Sequence, residues 1–208
     1  MGAHSARDGE ARSIIRVAMT REISAGGVVL RAIDGVWHIA LIEPQKEDSR
    51  DNDFPGEGSQ PAKALRKRSP AVLCLPKGLV DAGEKAEAAA IREVFEETGI
   101  VAEAITKLVD IKYVYVRSWG DGQRVFKIVS FYLMKYVSGE IGNITPEMRI
   151  EVERASWVPL TDAKKQMAYS GERKVLLQAQ EYLAENGLAP KKGAREAELG
   201  FKKSHNDM

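Results

Sequence analysis

The chain has 208 residues, with 44% hydrophobic and 29% charged content, an ordinary balance for one globular domain with a sizeable core. Thirty-one Lys and Arg against 30 Asp and Glu leave a formal charge of +1, so no global field argues for nucleic acid or an anionic membrane as partner. A single cysteine, Cys74, excludes an internal disulfide. No apolar run approaches the roughly 18 residues of a membrane span, and the opening residues lack the apolar core of a secretory signal. The expectation is a cytoplasmic protein without a membrane or stable nucleic-acid partner, monomeric or homodimeric.

Residues 1–21 are polar and Arg-containing, and read as a mobile N-terminal arm. Ser24-Ala-Gly-Gly-Val-Val-Leu30 reads as a strand, Asp34-Gly35 as a turn, and Val36 to Ile42 as the return strand of a hairpin. Within it His38 has no second His or Cys nearby in sequence, so it reads as a strand residue rather than a ligand. The stretch from about 44 to 70 is a long irregular loop, and loops of that length inside a domain are uncommon. It ends in the basic cluster Lys63, Arg66, Lys67 and Arg68, which is either a lid whose cations meet phosphates or a solvated insertion. Ala71 to Leu75 reads as a short buried strand holding Cys74 as a core thiol.

Gly78 to Ile100, GLVDAGEKAEAAAIREVFEETGI, carries the chemistry. From Lys85 to Thr98 there is no Gly or Pro, and the Ala, Glu and Arg content favours a helix bracketed by Gly83 and Gly99. On it Glu93, Glu96 and Glu97 stand at i, i+3 and i+4, sharing one face. Ala86, Ala90, Ile91, Val94 and Phe95 supply the apolar side. At about 4 Å each carboxylate pair repels by roughly 1 kcal/mol in water and about 4 at an effective dielectric of 20. Relief comes from a proton, a basic partner or a cation, and Arg92 is the one basic partner beside the carboxylates within that helix. Oxygen ligands without Cys or His favour Mg²⁺ or Mn²⁺ over zinc. The alternative is a solvated acidic face, the fate of most Glu-rich helices.

The whole spacing is more specific than the carboxylates alone. Gly78, Glu84, Arg92, Glu93, aliphatic Val94, Glu96, Glu97, Gly99 and aliphatic Ile100 recur together by chance on the order of 10⁻⁹ per window. This stretch resembles, position for position, the signature of the Nudix hydrolases, which cleave a nucleoside diphosphate linked to another group. The resemblance covers residues 22 to about 187 and implies an α/β fold: an α/β/α sandwich with a mixed sheet, the signature forming a loop-helix-loop. It implies Mg²⁺, with Mn²⁺ as substitute, held by Glu93, Glu96, Glu97 and the backbone carbonyl of Lys77. Pro76-Lys77-Gly78 resembles the branch acting on dinucleoside polyphosphates and diphosphoinositols, and the Lys77 side chain is a candidate phosphate contact.

Beyond the helix, Val101 to Val116 and Arg124 to Val137 read as two long strands. Tyr113 and Tyr115 share a face, either stacking on a nucleobase or packing on neighbours. Arg124 and Lys127 are candidate phosphate contacts. The segment from Tyr113 to Tyr136 resembles MutT-like bacterial diadenosine tetraphosphate hydrolases. Ile150 to Pro159 reads as a further strand, before which the family commonly places another carboxylate; Glu151 is the candidate and Glu153, on the same face, the alternate. A short helix over Ala163 to Ala168, capped by Thr161-Asp162, precedes an amphipathic one over 171–186 whose apolar face is Val175, Leu176, Ala179, Tyr182 and Leu183. Residues 188–208 read as a flexible tail.

The resemblance implies a pyrophosphohydrolase using metal-activated water on a small nucleotide, with Glu97 or Glu151 as base and Arg92 orienting a carboxylate. The expected reaction is asymmetric cleavage of diadenosine tetraphosphate to ATP and AMP. Nucleoside triphosphates and ADP-ribose are rival substrates, and a binding module without turnover is the alternative class.

Overall fold

The computed structural model describes residues 19–45, 72–117 and 122–190. The basic cluster of the long loop, the connector residues 118–121 and most of both predicted tails lie outside them.

Among the described residues six strands form one mixed sheet in the order β4-β5-β1-β2-β6, with β3 paired to β1 off that path. They are β1 (Thr20–Ile33), β2 (Val36–Pro44), β3 (Lys77–Leu79), β4 (Ile100–Val116), β5 (Arg124–Gly139) and β6 (Val152–Pro159). β1 and β5 run parallel over Thr20 to Leu30, and the other pairings are antiparallel. The expected hairpin is present, turned at Asp34 and Gly35 with φ of 50° and 76°. β1 divides one edge between two partners: Ser24 to Gly26 pair with β3, and Leu30 to Ile33 with β2. That division brings the residues before the signature helix into the centre of the sheet.

Alternation along β1 fills two layers. Val28 and Leu30 join a core closed by α2 (Leu160–Gln166) and α3 (Ser170–Glu185), while Ala25 and Val29 meet α1 (Ala86–Thr98) on the other face. The expected sandwich is observed. Among the described residues no helix is long and apolar enough to cross a membrane.

Several boundaries differ from the sequence reading. Residues 20 and 21 belong to β1 rather than to an arm. Among the described residues 72–75 no strand forms: Leu73 and Cys74 make isolated bridges to Met167 and Ile42. Pro76 has no N–H to carry a ladder on, so regular pairing starts after it. Cys74 is fully buried, as expected of a core thiol. Leu160 starts α2, placing Thr161 and Asp162 in its first turn instead of at a cap. Leu188, assigned to the tail, packs on the core.

α3 docks through Val175, Leu176, Ala179 and Leu183, all buried, while Leu177 turns outward at 37% exposure. Leu176→Ala is expected to cost about 2–5 kcal/mol, lowering the melting temperature by about 2–4 °C per kcal/mol. Leu177→Ala is expected to leave the melting curve nearly unchanged, and thermal denaturation followed by circular dichroism compares the two.

Candidate active site

Uninterrupted helix formers carry α1 to Gly99, whose φ of 77° and N–H to the Phe95 carbonyl (2.8 Å) end it. Ala89, Ala90 and Val94 seat the helix on the sheet. Glu93 and Glu97 go in with them, at 7% and 6% exposure. A solvated acidic face is therefore not what forms. Phe95, expected on the apolar side, is 48% exposed, because the register that buries Val94 and the two glutamates turns it outward.

Arg92 organises the cluster. Its Nη1 donates to Glu93 Oε1 (2.8 Å) and Glu96 Oε2 (2.9 Å), and its Nε and Nη2 donate to both oxygens of Glu84 (3.1 and 2.9 Å). Nη2 also reaches the Leu79 carbonyl (2.9 Å), and Glu84 accepts the Asp81 N–H (3.1 Å). One guanidinium thus ties the loop over 79–84 to the helix that follows. The fork geometry suits Arg and not Lys. The three carboxylates Glu84, Glu93 and Glu96 hold it charged, pushing its pKa up. Gly78 passes so close that a Cβ there would lie 2.1 Å from the Glu93 carboxyl, which accounts for the signature's first glycine.

Glu97 sits deeper, its Oε2 accepting the Lys77 N–H at 2.7 Å. Burial pushes its carboxyl up to about 8, with the Lys77 charge and N–H opposing and the Glu93 and Glu151 charges reinforcing. Burial raises Glu93 too, against Arg92. Glu151 ends a 3₁₀ turn (Met148–Ile150) ahead of β6 instead of lying on the strand, and its charge bears on both Glu93 and Glu97. Glu153 is exposed on β6 and does not figure among the groups acting on either.

The donors fit a hard divalent cation in kind: carboxylate oxygens, two of them buried, beside the Lys77 backbone. Among the described residues no three acidic, imidazole or thiol groups already converge on one point, and Arg92 holds Glu93 and Glu96.

The remaining candidates, Arg124 apart, lie towards α3. Tyr113 and Tyr115 share a face, with ring centroids 6.2 Å apart and planes tilted 41°. The Tyr115 hydroxyl donates to Glu22 Oε2 (2.9 Å), Arg117 donates to Oε1 (2.6 Å), and Lys127 stands 3.8 Å from Oε2. Lys127 opposes Tyr113 across the β4–β5 ladder and lies on its face, whereas Arg124, three residues earlier, lies on the opposite one. The Lys77 ammonium turns to Glu172 (3.4 Å) at 12% side-chain exposure, within a small cleft shared with Tyr113, Ile111, Val129 and Phe131.

Glu172 escaped the sequence reading. It stands three and four residues before Val175 and Leu176, on the apolar stripe of α3, and a charge in such a stripe is the signal that marks it. Glu22 left no comparable signal.

Residues 58–179 match the family model of the NUDIX domain. The chain belongs to the NUDIX domain family. Over 172 residues it is 34% identical to a protein named MutT4 from Mycobacterium tuberculosis, covering 83% of this chain and 60% of that one. It is 32% identical over 102 residues to an 8-oxo-(d)GTP phosphatase of Mycolicibacterium smegmatis, covering 49% of this chain and 28% of the relative. The chain thus spans less than two thirds of either relative. Among solved structures, a C. elegans Ap4A hydrolase in a binary complex superposes with a TM-score of 0.52 at 24% identity, covering 79% of this chain and 98% of that one, a likeness of fold.

The raised Glu97 carboxyl fixes a pH dependence. A glutamate near 4.5 when unfolded and about 8 when folded makes the native state bind more protons between those values. Stability of the metal-free protein is then expected to fall as pH rises from 4.5 to 8. Melting temperatures across that range should fall less steeply in Glu97→Gln than in the parent, and parallel slopes would remove Glu97 as the source.

Proposed function

We propose that this chain is a pyrophosphohydrolase acting on nucleotides whose diphosphate is linked to a further group, with Mg²⁺ as its cofactor. The observation that carries this reading is the burial of Glu93 and Glu97 beside a single forked arginine. Such burial costs stability unless a cation compensates it, and phosphoanhydride cleavage is chemistry that needs that cation.

Glu93, Glu96 and Glu97, with the Lys77 carbonyl, would hold the ion. When bound it neutralises phosphate oxygens and lowers the pKa of water. Arg92 keeps Glu93 and Glu96 aimed from a rigid helix, and Gly78 leaves the space the Glu93 carboxyl occupies. A water oxygen bonds to phosphorus, the bridging anhydride bond breaks, and the bridging oxygen leaves on the departing phosphate. The water's proton passes to a carboxylate, either Glu97 or Glu151. The charge of Glu151 acts on both helix glutamates from an exposed turn, a position open to solvent water.

Diadenosine tetraphosphate, split with water to ATP and AMP, is the substrate favoured by Pro76-Lys77-Gly78 and by the paired Tyr113 and Tyr115 rings. A second reading, hydrolysis of an oxidised or ordinary nucleoside triphosphate to a monophosphate, is favoured by the likeness to MutT4 and to the 8-oxo-(d)GTP phosphatase. Ion-exchange analysis of products formed with Mg²⁺ separates them. Equal ATP and AMP support the first, and a monophosphate from a triphosphate supports the second. Under either, Glu97→Gln is expected to abolish turnover with the circular dichroism spectrum retained. Near-normal turnover in that variant would sink the assignment of roles.

A further inference from the structure

We propose that Glu172, on α3 and outside the signature, is a positioning residue that sets the Leu75–Lys77 backbone and, through it, Glu97. The inference rests on the hydrolase reading of the same site.

Three contacts make the chain. Glu172 is 1% exposed, and its Oε2 accepts the Leu75 N–H at 2.8 Å. Its Oε1 faces the Lys77 ammonium at 3.4 Å. The same Lys77 donates its backbone N–H to Glu97 Oε2 at 2.7 Å. One carboxylate thus grips this short segment at two points, a backbone amide and a side-chain tip, and the segment in turn grips the buried catalytic candidate. β1 closes the other side. The Gly27 N–H donates to the Pro76 carbonyl at 3.1 Å, and a Cβ on Gly26 would lie 2.3 Å from that same oxygen. The turn is clamped between β1 and α3, with Lys77 at its signature end.

Packing alone does not call for this arrangement. Position 172 continues the stripe of Val175, Leu176, Ala179 and Leu183, where an aliphatic side chain would fill the space. A buried ion pair contributes little net stability compared with well-packed apolar residues, yet breaking one partner away is costly. What the pair supplies is direction. It draws the Lys77 side chain toward α3 and leaves the Lys77 N–H to Glu97 on α1. Groups that orient the ligands of a metal site typically change affinity or activity by about 10–100-fold when removed.

The test compares Glu172→Gln with Leu176→Ala, which loosens α3 while leaving the Glu172 and Lys77 side chains chemically intact. Turnover and KM are measured under Mg²⁺ at a temperature where both variants are folded, and Mn²⁺ affinity is measured by electron paramagnetic resonance without nucleotide. Glu172→Gln is expected to lower kcat by about 10–100-fold and weaken Mn²⁺ binding by about tenfold, with KM within about twofold. Leu176→Ala is expected to leave all three near the parent values. Unchanged kcat and Mn²⁺ affinity in folded Glu172→Gln would overturn the proposal, as would equal losses in both variants, which mark a merely structural helix contact. A parent protein that cleaves no nucleotide would sink the hydrolase reading, and the Mn²⁺ comparison would then decide the brace by itself.

Discussion

Two glutamates are carried into the protein on the same helix side that seats α1 on the sheet, and most of the local architecture follows from keeping them there. A buried carboxylate must be paired or hydrogen-bonded, or else give up its charge. Glu93 takes the first course through Arg92. Glu97, with a backbone N–H and the more distant Lys77 charge, moves toward the second, its carboxyl pushed up to about 8. Arg92 is already divided among Glu84, Glu93 and Glu96, so it has nothing further to give Glu97. The fold therefore leaves a deficit of positive charge at one defined place, where a divalent cation suits the demand better than another side chain.

The sheet supplies the other half of that constraint. Because β1 shares an edge between β3 and β2, the chain from Leu75 to Leu79 enters beside the strand centre and runs directly under α1. The carboxylates need that proximity: the Lys77 N–H meets Glu97, and Gly78 yields its Cβ space to Glu93. Longer pairing in front of Pro76 would have locked the segment into the ladder and withdrawn the backbone groups that the turn presents.

Legibility tracked the range of the interactions. The α1 helix, its ends and the grouping of three glutamates follow from spacing within a few residues, and so does the Asp34-Gly35 hairpin. Arg92 was identifiable as the helix's cation, although its reach to Glu84 and Leu79 needs the loop's path. Phe95 was misassigned because a helix with acidic and apolar residues at adjacent positions has two possible inward faces, and the sheet selects between them. Arg124 is different, since strand alternation already separates it from Lys127. Glu172 sits 97 residues from Leu75, and no local pattern joins them. Only its place in an apolar stripe hinted at a buried partner.

The two faces of the sheet carry different chemistry, and Lys77 belongs to both. Toward α1 its backbone meets the carboxylate cluster; toward α3 its ammonium meets Glu172 and shares a cleft with Tyr113. On this second face Glu22 already draws Arg117, Lys127 and the Tyr115 hydroxyl. A phosphate approaching Lys127 must therefore compete with a carboxylate that is in place, whereas the deficit at Glu97 favours positive charge on the α1 side. Any side chain that moves Lys77 toward α3 acts on the α1 side as well, because the residue is short of slack at both ends. Coupling between the two faces then needs no moving domain. It needs a single rigid turn, held by β1 at Pro76 and by α3 at Leu75 and Lys77.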